Sequence, residues 1–166
     1  ELLADSNVQA VYIPLPNSEH APWAIKAMQA GKHVLVEKPF ALNSDDAQMM
    51  VSTALDRKVV LMEGFMYRYS ERFEKIYEIV RAGTIGKVRL VQSGFSFPLS
   101  NPDDIRLSSD LGGGAIYDLG CYCVNLQRQL VGREPASVQA LCQMSNSGVD
   151  LQTVATLNFG DQVFGQ

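Results

Sequence analysis

The sequence predicts an α/β segment built on a parallel sheet, followed by an α+β segment built on an antiparallel or mixed one. As far as Met62, short β-branched runs alternate with helix-length stretches, the order that gives right-handed βαβ units. Beyond Tyr67 the alternation stops, and two long strand patterns flank the turn-rich Ser145-Asn146-Ser147-Gly148, a hairpin signal. A composition of 46% hydrophobic and 19% charged residues over 166 positions belongs to an ordered globular chain with material for a core.

In order, Val8 to Ile13 is a strand ended by Pro14 and Pro16, and Asn17 or Ser18 caps a helix that runs to Gln29 and stops at Gly31. Val34 to Val36 form the next strand. Ser44, with Asp45 and Asp46, opens a helix through Leu55, and Lys58 to Met62 make a third strand. Ser70 to Ala82 places Phe73, Ile76, Tyr77 and Val80 at i, i+3, i+4 and i+7, an amphipathic helix closed by Gly83. Lys87 to Phe97 reads as a long strand, Pro98 to Asp110 as a loop and Ala115 to Leu130 as a helix. Ala136 to Met144 and Leu151 to Phe159 complete the strands. The boundary falls near Gly64 to Tyr67, dividing the chain into residues 1–66 and 67–166.

A net charge of −4 without a basic cluster speaks against nucleic acid or an anionic membrane as partner. No window reaches the length of a membrane span, so a soluble chain is expected. Cys121, Cys123 and Cys142 are odd in number and the chain has only two histidines, so reduced thiols are expected and no metal site. The chain opens at Glu1 without methionine, enters a strand almost at once and stops at Gln166 among strand patterns. It is therefore expected to be a piece of a longer protein.

Two constellations carry chemistry. Glu37-Lys38-Pro39 follows the apolar run His33 to Val36, which puts a lysine at the carboxyl end of a parallel strand, the edge where open α/β sheets bind ligands. The tripeptide reads equally as a site lysine or as a solvated charge that closes a strand. The second is Gly112-Gly113-Gly114 opening a helix on which Asp118, Tyr122 and Asn125 share one face, with Ile116, Leu119, Cys123, Leu126 and Leu130 on the other. Three glycines cost conformational entropy and are most useful where a backbone or ligand comes close. No G-x-G-x-x-G exists in the chain, so a dinucleotide's pyrophosphate loop would lie upstream. A tyrosine acting near neutrality needs a cation beside it, which Lys38 could be for Tyr122, while Asp118 could position a substrate hydroxyl or orient the pair.

Pro14-Leu15-Pro16-Asn17-Ser18-Glu19-His20, Glu37-Lys38-Pro39, Glu63-Gly64-Phe65-Met66-Tyr67-Arg68-Tyr69 and Gly112-Gly113-Gly114-Ala115 with Asp118 and Tyr122 together resemble the glucose-fructose oxidoreductase / inositol dehydrogenase / rhizopine-catabolism (Gfo/Idh/MocA) family over essentially the whole chain. Tyr122, where many members carry histidine, is similar to the branch with dimeric dihydrodiol dehydrogenase and NADP-dependent xylose dehydrogenases. The resemblance implies a partial Rossmann dinucleotide-binding domain, then a domain with a large open, mainly antiparallel β-sheet that often mediates dimerisation.

Carried over residue by residue, it implies Lys38 as catalytic lysine, Tyr122 as acid/base and Asp118 as substrate-binding acid. Pro14, Leu15, Pro16, Asn17, His20 and Glu37 would line the nicotinamide ribose, Arg106 would lie near cofactor or substrate, and Pro39 matches a proline often found cis. The implied cofactor is NADP or NAD. The implied activity is reversible hydride transfer between nicotinamide and a sugar, polyol or dihydrodiol, with loops such as Ser96 to Ser109 choosing among them, in a cytoplasmic homo-oligomer, dimer or tetramer. A piece lacking half its Rossmann sheet would be poorly competent alone. Two alternatives are a non-catalytic sugar- or dinucleotide-sensing regulator, against which the presence of both Lys38 and Tyr122 speaks, and a redox-assisted glycosidase.

Overall fold

The computed structural model describes residues 1–166. Its first half is a three-stranded parallel sheet in the order β1 (Ala10–Ile13), β2 (His33–Val36), β3 (Leu61–Glu63). Two crossover helices, α1 (His20–Gln29) and α2 (Ser44–Arg57), connect the strands. Alternation along the strands sends Ile13, Val34 and Val36 to one face, where they meet Ala24, Ala27 and Met28 of α1 and Met50 and Ala54 of α2 in the principal core. Asn43 caps α2 by accepting from the Asp46 N–H at 2.8 Å. Lys58, the C-cap in left-handed conformation, delays β3 to Leu61, three residues later than the sequence pattern places it. The first helix begins later as well, because Asn17–Glu19 form a 3-10 turn ahead of it.

The second half begins with a 3-10 turn at Met66–Tyr69 and the amphipathic α3 (Glu71–Arg81), capped by Ser70. A mixed four-stranded sheet follows. Its strands are β4 (Leu90–Val91), β5 (Ser137–Met144), β6 (Asp150–Asn158) and β7 (Phe164–Gly165), in the order β4-β7-β6-β5, with β4 parallel to β7 and the other two pairings antiparallel. Helix α4 (Cys121–Val131) packs Val124 and Val131 against Leu157, Phe159 and Val163.

Three expectations need correction. The long strand expected over Lys87 to Phe97 pairs at Leu90 and Val91 alone, against Phe164 and Gly165 of β7. The helix expected over Ala115 to Leu130 starts as a five-residue π turn, Ile116–Gly120, which holds more residues per turn and rotates everything that follows. The expected apolar stripe is broken accordingly. The buried residues of α4 are Asn125 and Gln127, not Leu126 or Leu130. All three cysteines are free, with Cys142 exposed, and no helix is long and apolar enough to cross a membrane.

Candidate active site

Lys38 leaves the carboxyl end of β2 through a cis Lys38–Pro39 bond. Its ammonium donates to the Asp118 carbonyl oxygen at 2.7 Å and to Asp118 Oδ1 at 2.8 Å. Arg106 Nε donates to the other carboxylate oxygen at 2.7 Å, and Arg106 Nη1 also pairs with Asp104. Asp118 thus joins the two halves of the chain between two cations. Burial pushes its carboxyl up, but the hydrogen bonds and charges of Lys38 and Arg106 outweigh that and hold it below the usual carboxylate range.

The triple glycine is a joint between segments. A Cβ on Gly113 would run into the Arg106 carbonyl oxygen, and one on Gly114, whose φ is +118°, into Asp150 Oδ1, so no side chain fits at either position. The Gly112 carbonyl oxygen accepts from Asn17 Nδ2 at 2.8 Å, and Tyr117 donates its hydroxyl to the Leu42 carbonyl oxygen at 2.6 Å. The glycines therefore let the helix start come close to the first half, to the Arg106 segment and to β6 at once.

Tyr122 lies beside this cluster, with the Lys38 ammonium 5.3 Å from its ring centroid, a cation–π placement. Phe65 meets the ring edge-on at 5.4 Å, and Phe95 and Tyr67 stand at 5.9 and 6.1 Å. The phenol hydrogen-bonds no protein group. One expectation is overturned in this arrangement: Lys38 does not bring the phenol down. Its charge faces the ring and is spent on Asp118, while burial, followed by the neighbouring Cys121, Glu37 and Asp118, pushes Tyr122 up. Asn125, expected beside Tyr122 on the polar face, is buried and accepts from Tyr67 at 2.6 Å. Burial drives Tyr67 up to about 12 and Cys121 up to about 11.

Pro14, Leu15, Asn17, His20, Glu37 and Lys38 line a cleft of about 150 Å³ with Arg106 and Asp118. His20 is 1% exposed, with ring nitrogens 2.8 Å from the Pro39 carbonyl oxygen and 2.9 Å from that of Leu15; it ties two loops together from beneath. Glu37 accepts from the Tyr12 hydroxyl at 2.7 Å. Pro16 and Pro39 stand beside the cleft without lining it. On the far side of Arg106 and Asp118, which line both spaces, is a cavity of about 920 Å³ walled by Phe95, Phe97 and Leu99. Tyr122 lines neither and stands between Lys38 and Phe95. Phe65 and Tyr67 belong to a motif visible in the sequence, but nothing there showed that they would box Tyr122.

Residues 1–65 match the family model described as "Oxidoreductase family, NAD-binding Rossmann fold", and residues 73–166 the one described as "GFO/IDH/MocA C-terminal domain". The chain belongs to the GFO/IDH/MocA oxidoreductase family. Among family members, D-xylose 1-dehydrogenase (NADP(+)) 2 of Haloferax volcanii is 40% identical over 95% of this chain and 49% of its own length. Trans-1,2-dihydrobenzene-1,2-diol dehydrogenase of Mus musculus is 33% identical over 99% and 50%. The crystal structure of aldose-aldose oxidoreductase from Caulobacter crescentus complexed with glycerol superimposes with a TM-score of 0.93 at 32% identity, covering 99% of this chain and 51% of that one. The chain thus spans about half the length of these family members. The cleft lies outside the carboxyl ends of β1 and β2, where such sheets take a dinucleotide. Its mix of loop backbone, the Glu37 and Asp118 carboxylates and the Lys38 and Arg106 cations fits the ribose–nicotinamide end of NAD or NADP.

Proposed function

We propose that the full protein is an NAD(P)-dependent oxidoreductase that moves a hydride between nicotinamide and a sugar, polyol or related secondary alcohol, dihydrodiols included. The observation that carries this reading is the meeting of a strand-end lysine with a tyrosine whose hydroxyl is free, across the boundary between the two sheets. When bound, the nicotinamide supplies the hydride donor or acceptor. With its pKa raised, Tyr122 is a neutral phenol near pH 7 and gives its proton to a carbonyl oxygen in the reductive direction; oxidation of an alcohol needs the phenolate. Lys38, paired with Asp118 and set against the Tyr122 ring, holds the phenol in place for this transfer. Asp118, with both oxygens engaged, orients Lys38 and Arg106 rather than binding a hydroxyl. Glu37 and the Pro14 to His20 loop serve the cofactor side, and Phe95 and Phe97 the substrate side.

The dihydrodiol and xylose dehydrogenase names among the relatives support this substrate range. Self-association is assigned to the open face of the second sheet, where Leu141 and Val154 pair directly across β5 and β6 at 82% and 54% exposure. The deciding assay follows reduced-nicotinamide absorbance in the full-length protein with NAD or NADP against D-xylose, D-glucose, myo-inositol and a trans-dihydrodiol. Reduction with at least one pair is expected. Silence across every pair, in both directions, would favour a sensor without catalysis.

A further inference from the structure

Asp150 opens β6 at an irregularity of the ladder. Gln143 pairs with Gln152, yet Met144 pairs with Asp150, so Leu151 is the extra residue of a bulge, a device that re-aims neighbouring side chains. The Asp150 carboxylate points across to the Gly-rich helix. Oδ2 accepts from the Ile116 N–H at 2.9 Å and from Thr153 Oγ1 at 2.6 Å, and Oδ1 fills the space that a Cβ on Gly114 would need. Ile116 is the first residue of the π turn. The same hairpin reaches the Arg106 segment, where Ser147 donates its hydroxyl to the Leu107 carbonyl oxygen at 2.6 Å.

We propose that Asp150 is a positioning residue for the acid/base pair: it caps the Ile116 N–H and so fixes the start of the helix, holding Asp118 on Lys38 with Tyr122 beside them. The proposal rests on the reading of Lys38 and Tyr122 as the groups that handle the proton. The first N–H groups of a helix have no partner inside it, and a carboxylate at that end also complements the helix dipole. Asp118 lies two residues after the capped Ile116, with its own N–H on the Gly114 carbonyl oxygen at 3.0 Å, so loosening the helix start loosens the hold of Asp118 on Lys38. Gly114 and Asp150 are then two halves of one device, the missing side chain of one making room for the carboxylate of the other.

The test uses the full-length enzyme with Asp150→Ala and Asp150→Asn, reading turnover, cofactor KM, thermal unfolding and Asp118 titration by NMR of [γ-13C]aspartate-labelled protein. Alanine should lower kcat at least tenfold with cofactor KM within twofold, and should move the Asp118 titration toward the ordinary carboxylate range. Asparagine, which keeps an oxygen for the Ile116 N–H, should restore kcat to within about threefold. An unchanged Asp118 titration in Asp150→Ala overturns the proposal whatever turnover does. So does a loss of activity in both variants that only tracks their unfolded fraction. Should Lys38→Met and Tyr122→Phe themselves turn over normally, the fault lies with the reading of the pair, and the Asp118 titration still decides on Asp150.

Discussion

Lys38 reaches the site from the end of a parallel strand, whereas Asp118 and Tyr122 reach it from a helix that begins with three glycines and a π turn. The strand end is held from within its own half of the chain: ladder hydrogen bonds to both neighbours, and a core packed beneath β2 on α1 and α2. The helix start is held from several directions, by Asn17 and Leu42 of the first half, by Asp150 of β6 and by the preceding Arg106 segment. The backbone of a lysine on a strand end is placed by its own sheet. A tyrosine that must meet it from the other half of the chain needs several independent supports, and the glycines make room for them.

Four predictions sharpen that contrast, from the largest effect to the smallest. Lys38→Met in the full-length enzyme should cut kcat by about 100-fold or more, the size expected when a group serving proton transfer is lost, a loss larger than the fraction unfolded by removal of the Asp118 partner accounts for; steady-state kinetics with calorimetry checks both. Gly114→Ala strikes the other region. At φ +118° and against the Asp150 carboxylate, a methyl group should cost roughly 1–3 kcal/mol of stability or more, measured by urea unfolding, with activity lost alongside.

Acid should separate the regions further. The folded-state pKa of Asp118 is depressed, so its contribution to stability is complete above the unfolded carboxyl value and is lost as pH falls toward the folded one. Melting temperature should therefore fall on acidification, and Asp118→Asn should flatten that part of the curve. The smallest effect is expected at Leu141→Asp, at 82% exposure on the open sheet face: subunit association, read by sedimentation, weakens while the fold and the chemistry of a subunit remain.

The same contrast explains what could be read from residues alone. The βαβ order, the lysine edge and α3 rest on local periodicity, and their main features survive in the structure. The 87–97 strand was only partly legible because strand pairing depends on a partner more than 70 residues away, which local alternation does not report. The face of the Gly-rich helix was misjudged because a 3.6-residue period was carried through a π turn. Asp150 looked like an ordinary residue after a turn; its role depends on a bulge and on the space above Gly114. The state of Tyr122 was the deepest miss, since what decides it is whether the Lys38 charge points at the hydroxyl or, as here, at Asp118 and the ring face.

The central claim is that Tyr122 gives and takes the proton while Lys38 and Asp118 hold its surroundings. The pH dependence of kcat in both directions, in the full-length enzyme and in Tyr122→Phe, tests it most directly. Because the phenol is raised above its ordinary value near 10, alcohol oxidation should climb steadily with pH above neutrality and carbonyl reduction should stay level across the same range. Both rates should fall about 100-fold in the phenylalanine variant, with the alkaline rise gone. The same alkaline rise persisting in Tyr122→Phe at near-normal rates would contradict the account.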